Sequence, residues 1–330
     1  MNKTIRSSWS ALASLIAGLA MLPCLAAAES AADYPTRPVH LIVGYTPGGS
    51  TDVISRLVAQ RLSDKLGQAV IVENRAGAGS NIASEYVARS KADGYTLLVL
   101  TIQNATNMSI YKDLRYDTAR DFAPIAQFMA SPSVFVISPS VKADSLGAFI
   151  TIAKANPNKY SYASTGVGGS PHLAGEMLKT RAGIELLHVP YKGTSPALID
   201  VTTGVVSSGF MTTLGVLNQM QTGQVKPLAV AYSSRLPELP DVPTMAEAGL
   251  PNFEVVSWTG VAAPKGTPPE IVNRLNAAIN DILNSPDMQR RVKELGGAVV
   301  PRTPAEFQSY VSDEIAKWRT VVRASKIELE

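Results

Sequence analysis

The sequence predicts an α/β fold of two domains, each a mostly parallel sheet flanked by helices, with a ligand cleft between them. Three observations carry this reading. Short apolar strands alternate with helical segments from Val39 to Leu100, a rhythm that implies parallel pairing with helices on the sheet faces. The same order of strand, glycine turn and helix returns between Tyr160 and Leu178. A late apolar run, Val255 to Ala263, is suited to leading the chain back to the first domain. The expected division is an export segment over 1–28, a first domain made of 29–134 and 258–330, and a second domain over 135–257.

The opening unit is the clearest. Val39-His40-Leu41-Ile42-Val43 is a strand and Pro47-Gly48-Gly49 a turn. Val53, Ile54, Leu57, Val58, Leu62 and Leu66 then share one face of a helix. Ser50, Thr51 or Asp52 can cap its start and Gly67 can end it. A helix start leaves N–H groups without backbone partners at the positive end of the helix dipole, so the turn can hold an anion. It can equally be a plain strand-to-helix corner.

Ala69 to Glu73 is the next strand, Asn74 to Asn81 a loop, and Ile82, Ala83, Tyr86 and Val87 a helix face. Tyr95 to Leu100 has the unbroken apolar run of a buried strand. A polar, loop-like stretch from Ile110 to Phe122 precedes two expected strands, Ile125–Phe128 and Val134–Ile137. In the second copy, Tyr160 to Ser164 is a strand and Thr165 to Ser170 a glycine loop. Pro171 opens a helix, with Ser170 as its expected cap. Leu186 to Tyr191 is a strand, Pro196 to Val201 starts a helix ended by Gly204, and Val205–Met211 and Pro227–Ala231 are further strands. The proline-rich stretch Ser233–Pro251 is loop with one short helix at Thr244–Ala248. The C-terminal helices carry expected capping boxes at Thr267/Glu270 and Thr303/Glu306, with Ser285-Pro286 starting a helix between them.

At the N-terminus, Lys3 and Arg6 precede an apolar run from Ala11 to Ala26 and a small-residue stretch, which reads as a secretory signal peptide cleaved after Ala28. The single cysteine, Cys24, lies inside it behind Pro23, which argues against lipidation. The exported chain therefore has no thiol chemistry and no cysteine metal ligand. Charge is nearly balanced, 30 Lys and Arg against 27 Asp and Glu, with no basic cluster that would suit a nucleic acid.

Catalytic signatures fail in turn. There is no Gly-x-Ser-x-Gly elbow and no phosphate-binding loop; Lys192-Gly193-Thr194 has the residues without the frame. The three histidines, His40, His172 and His188, have no metal-ligand spacing, and His40 and His188 read as strand residues. Gly77-Ala78-Gly79 lacks the third glycine of a dinucleotide turn. No cofactor, no metal and no catalysis are expected. Binding remains: two glycine turns, near Gly48 and near Gly168, that would face one cleft and present N–H groups to a small carboxylate. Thr46, Thr165, Ser170 and His172 can add side-chain donors, although Ser170 can be a simple cap and His172 a surface residue.

A series of ordered motifs resembles a known family. It includes Tyr34-Pro35-Thr36-Arg37-Pro38, Tyr45-Thr46-Pro47-Gly48-Gly49-Ser50-Thr51-Asp52, Glu73-Asn74-Arg75-Ala76-Gly77, Asp93-Gly94-Tyr95, Ser164-Thr165-Gly166, His172-Leu173-Ala174-Gly175-Glu176, His188-Val189-Pro190-Tyr191-Lys192-Gly193 and Leu239-Pro240-Asp241-Val242-Pro243. The chain is similar throughout its exported length to the Bug receptors, extracytoplasmic solute-binding proteins of tripartite tricarboxylate transporters. The resemblance implies a two-domain periplasmic-binding-protein fold of the type II kind that closes on its ligand. It implies a periplasmic, monomeric receptor for an organic acid, with transporter subunits as partners. A sensor protein as the partner, or an exported enzyme acting on a carboxylate, are the alternatives.

Carried over by motif, the ligand-holding residues are Tyr45, Thr46, Pro47, Gly48 and Gly49, with Asp52 supporting the turn, and Thr165, Gly166, Gly168, Gly169 and Ser170 with His172. Gln103, Tyr191 and Ser207 complete the candidate lining. Three departures from the family stand out. Tyr45 stands where phenylalanine is common. Thr101 to Thr106 lacks a Ser/Thr-His pair. Ser207 replaces an acid of the usual Gly-Gln-Val-Asp, which would disfavour a distal ammonium group and so a free amino acid as ligand.

Overall fold

The computed structural model describes residues 33–191, 193–295 and 297–324. The expected signal peptide, its cleavage after Ala28 and Cys24 lie outside the described residues. Asp33 and Tyr34 belong to the N-terminal segment, and the chain from Pro35 onward forms one compact unit.

The first parallel group is β1 (Val39–Val43), β2 (Val70–Asn74) and β3 (Thr96–Thr101), with β1 in the middle. α1 (Ser50–Leu66) joins β1 to β2, and a 3-10 turn (Ala78–Ser80) and α2 (Asn81–Ala88) join β2 to β3. α3 (Ile102–Ile110) follows β3 without a loop. The sequence reading had no helix there, because Gln103, Asn104, Thr106 and Asn107 give it no apolar stripe; all four are nonetheless buried. Thr101 and Asn104 start it with a reciprocal capping box.

The two strands expected at Ile125–Phe128 and Val134–Ile137 are one, β4 (Phe122–Ile137), whose irregular register absorbs Pro124 and the residues after it. β4 carries the chain from one sheet to the other. Phe122 to Pro132 pair antiparallel with β9 (Val256–Pro264), and Ser133 to Ile137 pair antiparallel with β7 (Ser208–Thr212) and β8 (Lys226–Ala231). The return crossing lies beside it: Val255 N donates to Ala231 O, and β9 then pairs with β3 and with β4, Ser131 opposite Ser257.

The second parallel group is β5 (Ser161–Ser164) between β6 (Leu187–Pro190) and β7. α4 (Leu146–Ala155), α5 (Ser170–Ala182), α6 (Thr194–Thr203) and α7 (Thr213–Gln221) accompany it. α4 and α7 were not anticipated. The second sheet is buried on both faces. Val134 and Val136 enter one apolar cluster with Met211 and Val230, while Phe135 and Ile137 enter another with Phe149 and Phe210, the period-two alternation of a strand. The parallel groups are as expected, while β4, β8, β9 and a short β10 (Ala298–Val299) add antiparallel pairs that make the sheets mixed.

Helix ends follow local chemistry, with three corrections. The N-caps of α1 and α5 lie one to three residues before the expected ones, at Gly49 and Gly169, so Ser170 is inside the helix and Asp52 serves the turn instead. Thr267 forms no capping box; its Oγ1 donates to Pro264 O at 2.8 Å, and α8 (Pro269–Asn284) starts beyond it. The segment Thr244–Ala248 is a turn, too short to close a helix, although Thr244 and Glu247 do bond reciprocally. Gly67 and Gly204 end α1 and α6 in the left-handed conformation, at φ 67° and 82°. Ser285 caps α9 (Pro286–Glu294), and Thr303 with Glu306 opens α10 (Pro304–Ala324).

α10 holds the return strand through a buried acid. Glu314, 5% exposed, accepts from Trp258 Nε1 of β9 at 3.0 Å and from Trp318 Nε1 at 2.9 Å, with Lys317 beside it. Glu314→Ala strands two indole N–H groups and is expected to lower unfolding free energy by about 2–4 kcal/mol. Urea denaturation followed by tryptophan fluorescence measures the loss.

Candidate functional site

The parallel strands β1, β3, β5 and β7 deliver their C-terminal ends to turns or directly to helices, the end of an α/β sheet where ligands bind. Two of these exits are the glycine turns: Gly44 to Gly49 between β1 and α1, and Thr165 to Gly169 between β5 and α5.

In the first turn, Asp52 is the organising residue. It is 2% exposed and accepts from Gly48 N (2.9 Å), Arg56 Nε (2.9 Å) and Asn74 Nδ2 (2.8 Å). Burial pushes its carboxyl up, but the bonds from Arg56, Gly48 and Asn74 outweigh this and hold it below the usual carboxylate range. Asn74 also donates to Tyr45 O, tying β2 to the turn. Thr46, Pro47 and Gly48 are solvent-exposed, and Gly49 is half-buried.

The second turn is pressed against α3. Gly168 has φ 79°, where a side chain is strained, and a Cβ there would lie 2.9 Å from Ile110 Cδ1, whose end would have to shift. Thr106 Oγ1 donates to Gly168 O at 2.8 Å and Gln103 Nε2 to Val167 O at 3.2 Å. Gln103 Oε1 accepts from Tyr45 OH at 2.5 Å, and Tyr45 OH also meets Thr101 Oγ1 at 2.6 Å. One buried side chain, Gln103, therefore links the first glycine turn to the second. Burial holds the Tyr45 phenol well above its ordinary pKa, so it acts as a neutral hydrogen-bonding group. On the same helix Asn107 Nδ2 donates to Gly79 O and Asn81 Oδ1, adding the turn after β2 to the junction.

His172 is placed at the site in a different role from the expected donor. It is 5% exposed, and its Nδ1 accepts from Gly168 N at 3.1 Å, which puts the ring proton on Nε2. Its ring stacks on His188 at 4.2 Å, and His188 stacks on Tyr162 at 4.9 Å. His188 Nε2 meets Ser164 Oγ at 2.7 Å, and Glu176, held by Lys179, accepts from Tyr162 OH. Burial, then the Lys179 charge, lowers the His172 pKa to about 4; burial, then His172, lowers that of His188 to about 4. Both rings are neutral at pH 7.

The glycine N–H groups expected to meet an anion are therefore already used, Gly48 by Asp52 and Gly168 by His172. The open donors move one step on, to the first N–H groups of α1 and α5, which have no intrahelical acceptor. Thr165, Gly166, Gly169 and Ser170 sit in the second turn or at its helix start, with Gly169 and Ser170 buried. Tyr191 borders that turn through its backbone, its N donating to Ser164 O, but its hydroxyl is committed to Asp200. Burial and that carboxylate raise the Tyr191 pKa to about 12.

Ser207 is not brought to the site. It precedes β7, and its backbone and hydroxyl bond Ser161 at the N-terminal end of β5, the end opposite the glycine turn. Ser207 therefore has no bearing on whether a bound ligand can carry a distal ammonium group. The residue of this strand at the C-terminal end, the end of the glycine turn after β5, is Thr212, the last of β7. Sequence reading also missed Thr101, Asn104, Thr106 and Asn107; the Thr-x-x-Asn capping pattern was the only signal for them.

With this geometry in view, comparison with known proteins is specific. The profile described as "Tripartite tricarboxylate transporter family receptor" matches residues 54–327, and the chain belongs to that family. It is 39% identical over 308 residues to protein BugT of Bordetella pertussis, covering 93% of this chain and 94% of BugT. Among solved structures it is similar to R. palustris Rpa4515 with adipate, at TM-score 0.85 and 38% identity, covering 90% of this chain and all of that one. It is also similar to MatC (Rpa3494) from Rhodopseudomonas palustris with bound malate, at TM-score 0.82 and 32% identity, covering 88% of this chain and all of that one. The fold is thus a periplasmic-binding-protein-like α/β fold.

Two tests follow from the second turn. Because His172 is neutral when folded and titrates near 6.5 when unfolded, the unfolded chain binds more protons as pH falls below that value. Stability is expected to be fully present above pH 6.5 and to decline toward pH 4, by on the order of 3 kcal/mol from His172 alone. His172→Gln should flatten the slope of urea stability against pH in that window by about one proton. Gly168→Ala, strained at positive φ and against Ile110, is expected to cost about 1–3 kcal/mol in the same assay.

Proposed function

We propose that this protein is a periplasmic receptor that captures a small organic carboxylate between two lobes and presents it to the membrane subunits of a tripartite tricarboxylate-type transporter, without catalysis. The lobes are 29–134 with 258–330 and 135–257, and the chain is exported after loss of residues 1–28. The receptor acts as a monomer. The observation that carries the reading is the Gln103 junction, where a glycine turn from each parallel group meets around α3. Paired chain crossings at Pro132–Ser133 and Val255–Val256 support a hinge, since neighbouring strands can flex together. The adipate and malate bound by the two similar structures support a carboxylate as ligand.

Tyr45, Gln103 and the helix starts behind Gly49 and Gly169 would hold the acid, with Asp52 and His172 fixing the turns beneath. A few charge-assisted bonds, each contributing about 1.5–3 kcal/mol, reach the roughly −8 kcal/mol of a micromolar complex. Calorimetry with adipate, malate, citrate and benzoate should give at least one dissociation constant in the micromolar range, with a raised melting temperature and the acid recovered unchanged. Silence from every acid in both assays would remove the receptor reading, and conversion of the bound acid would remove the non-catalytic one.

A further inference from the structure

At the meeting of the two sheets lies a small cavity whose walls are almost all hydroxyl. Ser50 and Thr51 come from the first turn of α1, Ser131 from β4, Ser257 and Thr259 from β9, and Thr212 from the end of β7; Met129 is the apolar wall. The volume, about 20 Å³, suits an occupant of about one water. No charged residue lines it.

Two hydroxyls have no partner, one lining the cavity and one on the residue opposite it. Thr212 Oγ1 is buried without a hydrogen bond, and so is Ser133 Oγ, on a residue with 0% exposure. Ser133 and Thr212 are directly opposite in the β4–β7 ladder, which puts their side chains on one face of the sheet, the face that Ser131 shares two residues earlier. Buried hydroxyls are normally bonded, because leaving one unpaired forfeits its bonds to water. A pair of orphans beside a polar cavity marks a place built for an outside oxygen. α1 adds the positive end of its dipole and the unpaired N–H groups of Ser50 and Thr51. A carboxylate oxygen meets all of these as an acceptor, whereas an ammonium group finds no counter-charge.

We propose that this cavity seats one carboxylate oxygen of the bound acid, with the Thr212 hydroxyl donating to it, and that Thr212 rather than Ser207 is the residue of the β7 segment that selects the ligand. The inference rests on the carboxylate-receptor reading. Opening at the neighbouring crossings would admit the group, and closure would bury it among donors.

The test compares wild type, Thr212→Val and Thr212→Ser by calorimetry with adipate and malate. Valine keeps the shape and removes the hydroxyl. It is expected to weaken binding about tenfold to a hundredfold, the weight of a hydrogen bond to a charged group. Serine should restore most of it. The unliganded melting temperature of the valine variant should not fall, since the lost hydroxyl had no partner. Wild-type binding that the valine variant matches would overturn this inference, leave the receptor reading standing and make the cavity a water site. Weakening that serine does not relieve, or a lowered unliganded melting temperature, would also overturn it by assigning Thr212 a packing role. No binding of either acid by wild type would overturn the inference, and with silence across the wider acid panel, the reading beneath it.

Discussion

The architecture depends on β4 belonging to both sheets. Its first part pairs with β9 and its last part with β7 and β8, so a single backbone sets the position of each parallel group. β9 runs antiparallel beside it and is clasped by the Trp258–Glu314–Trp318 bonds of α10. Two adjacent crossings resist twisting far better than one, because each ladder bond must be kept by both strands. The hydroxyl cavity lies beside these two crossings, between β4, β7, β9 and the start of α1.

Around this frame, polar burial does what an apolar stripe does elsewhere. α3 buries Gln103, Asn104, Thr106 and Asn107, and nearly every one of their polar groups finds a backbone or side-chain partner. An apolar helix in this position would pack against any neighbour. These amides and hydroxyls instead accept one arrangement of the turns, because any other leaves buried groups unpaired. Neutrality serves the same end. His172 can accept from Gly168 N–H only while its Nδ1 carries no proton, and burial keeps it so. Asp52 is the charged counterpart in the first turn, kept ionised by three donors that outweigh its burial.

Much of this was legible in the residues. The strand and helix periodicities of β1, α1, β3 and β5 follow from burial of one face or of both, which is a local property of the sequence. Glycines 67 and 204 announce helix ends because only they adopt the left-handed cap without strain. The ordered motifs from Tyr34 to Pro243 also sufficed to indicate the family. The failures are equally physical. Thr244 to Ala248 has helical composition but too few residues to offset nucleation, and it stays a turn. α3 carries no hydrophobic period, and polar residues become a core only when partners distant in sequence, Tyr45, Gly79 and Val167, arrive to bond them.

By itself, then, the sequence determined the α/β class and the two glycine turns, because periodicity and glycine conformational freedom are properties of neighbouring residues. Only the tertiary structure decided that Gly48 and Gly168 spend their N–H groups on Asp52 and His172, that Gln103 bridges the turns, and that Thr212 occupies the C-terminal end of β7 while Ser207 faces the other. Strand direction and register assign a residue to one end of a sheet, and both are settled by pairing across long stretches of chain, which no local pattern encodes.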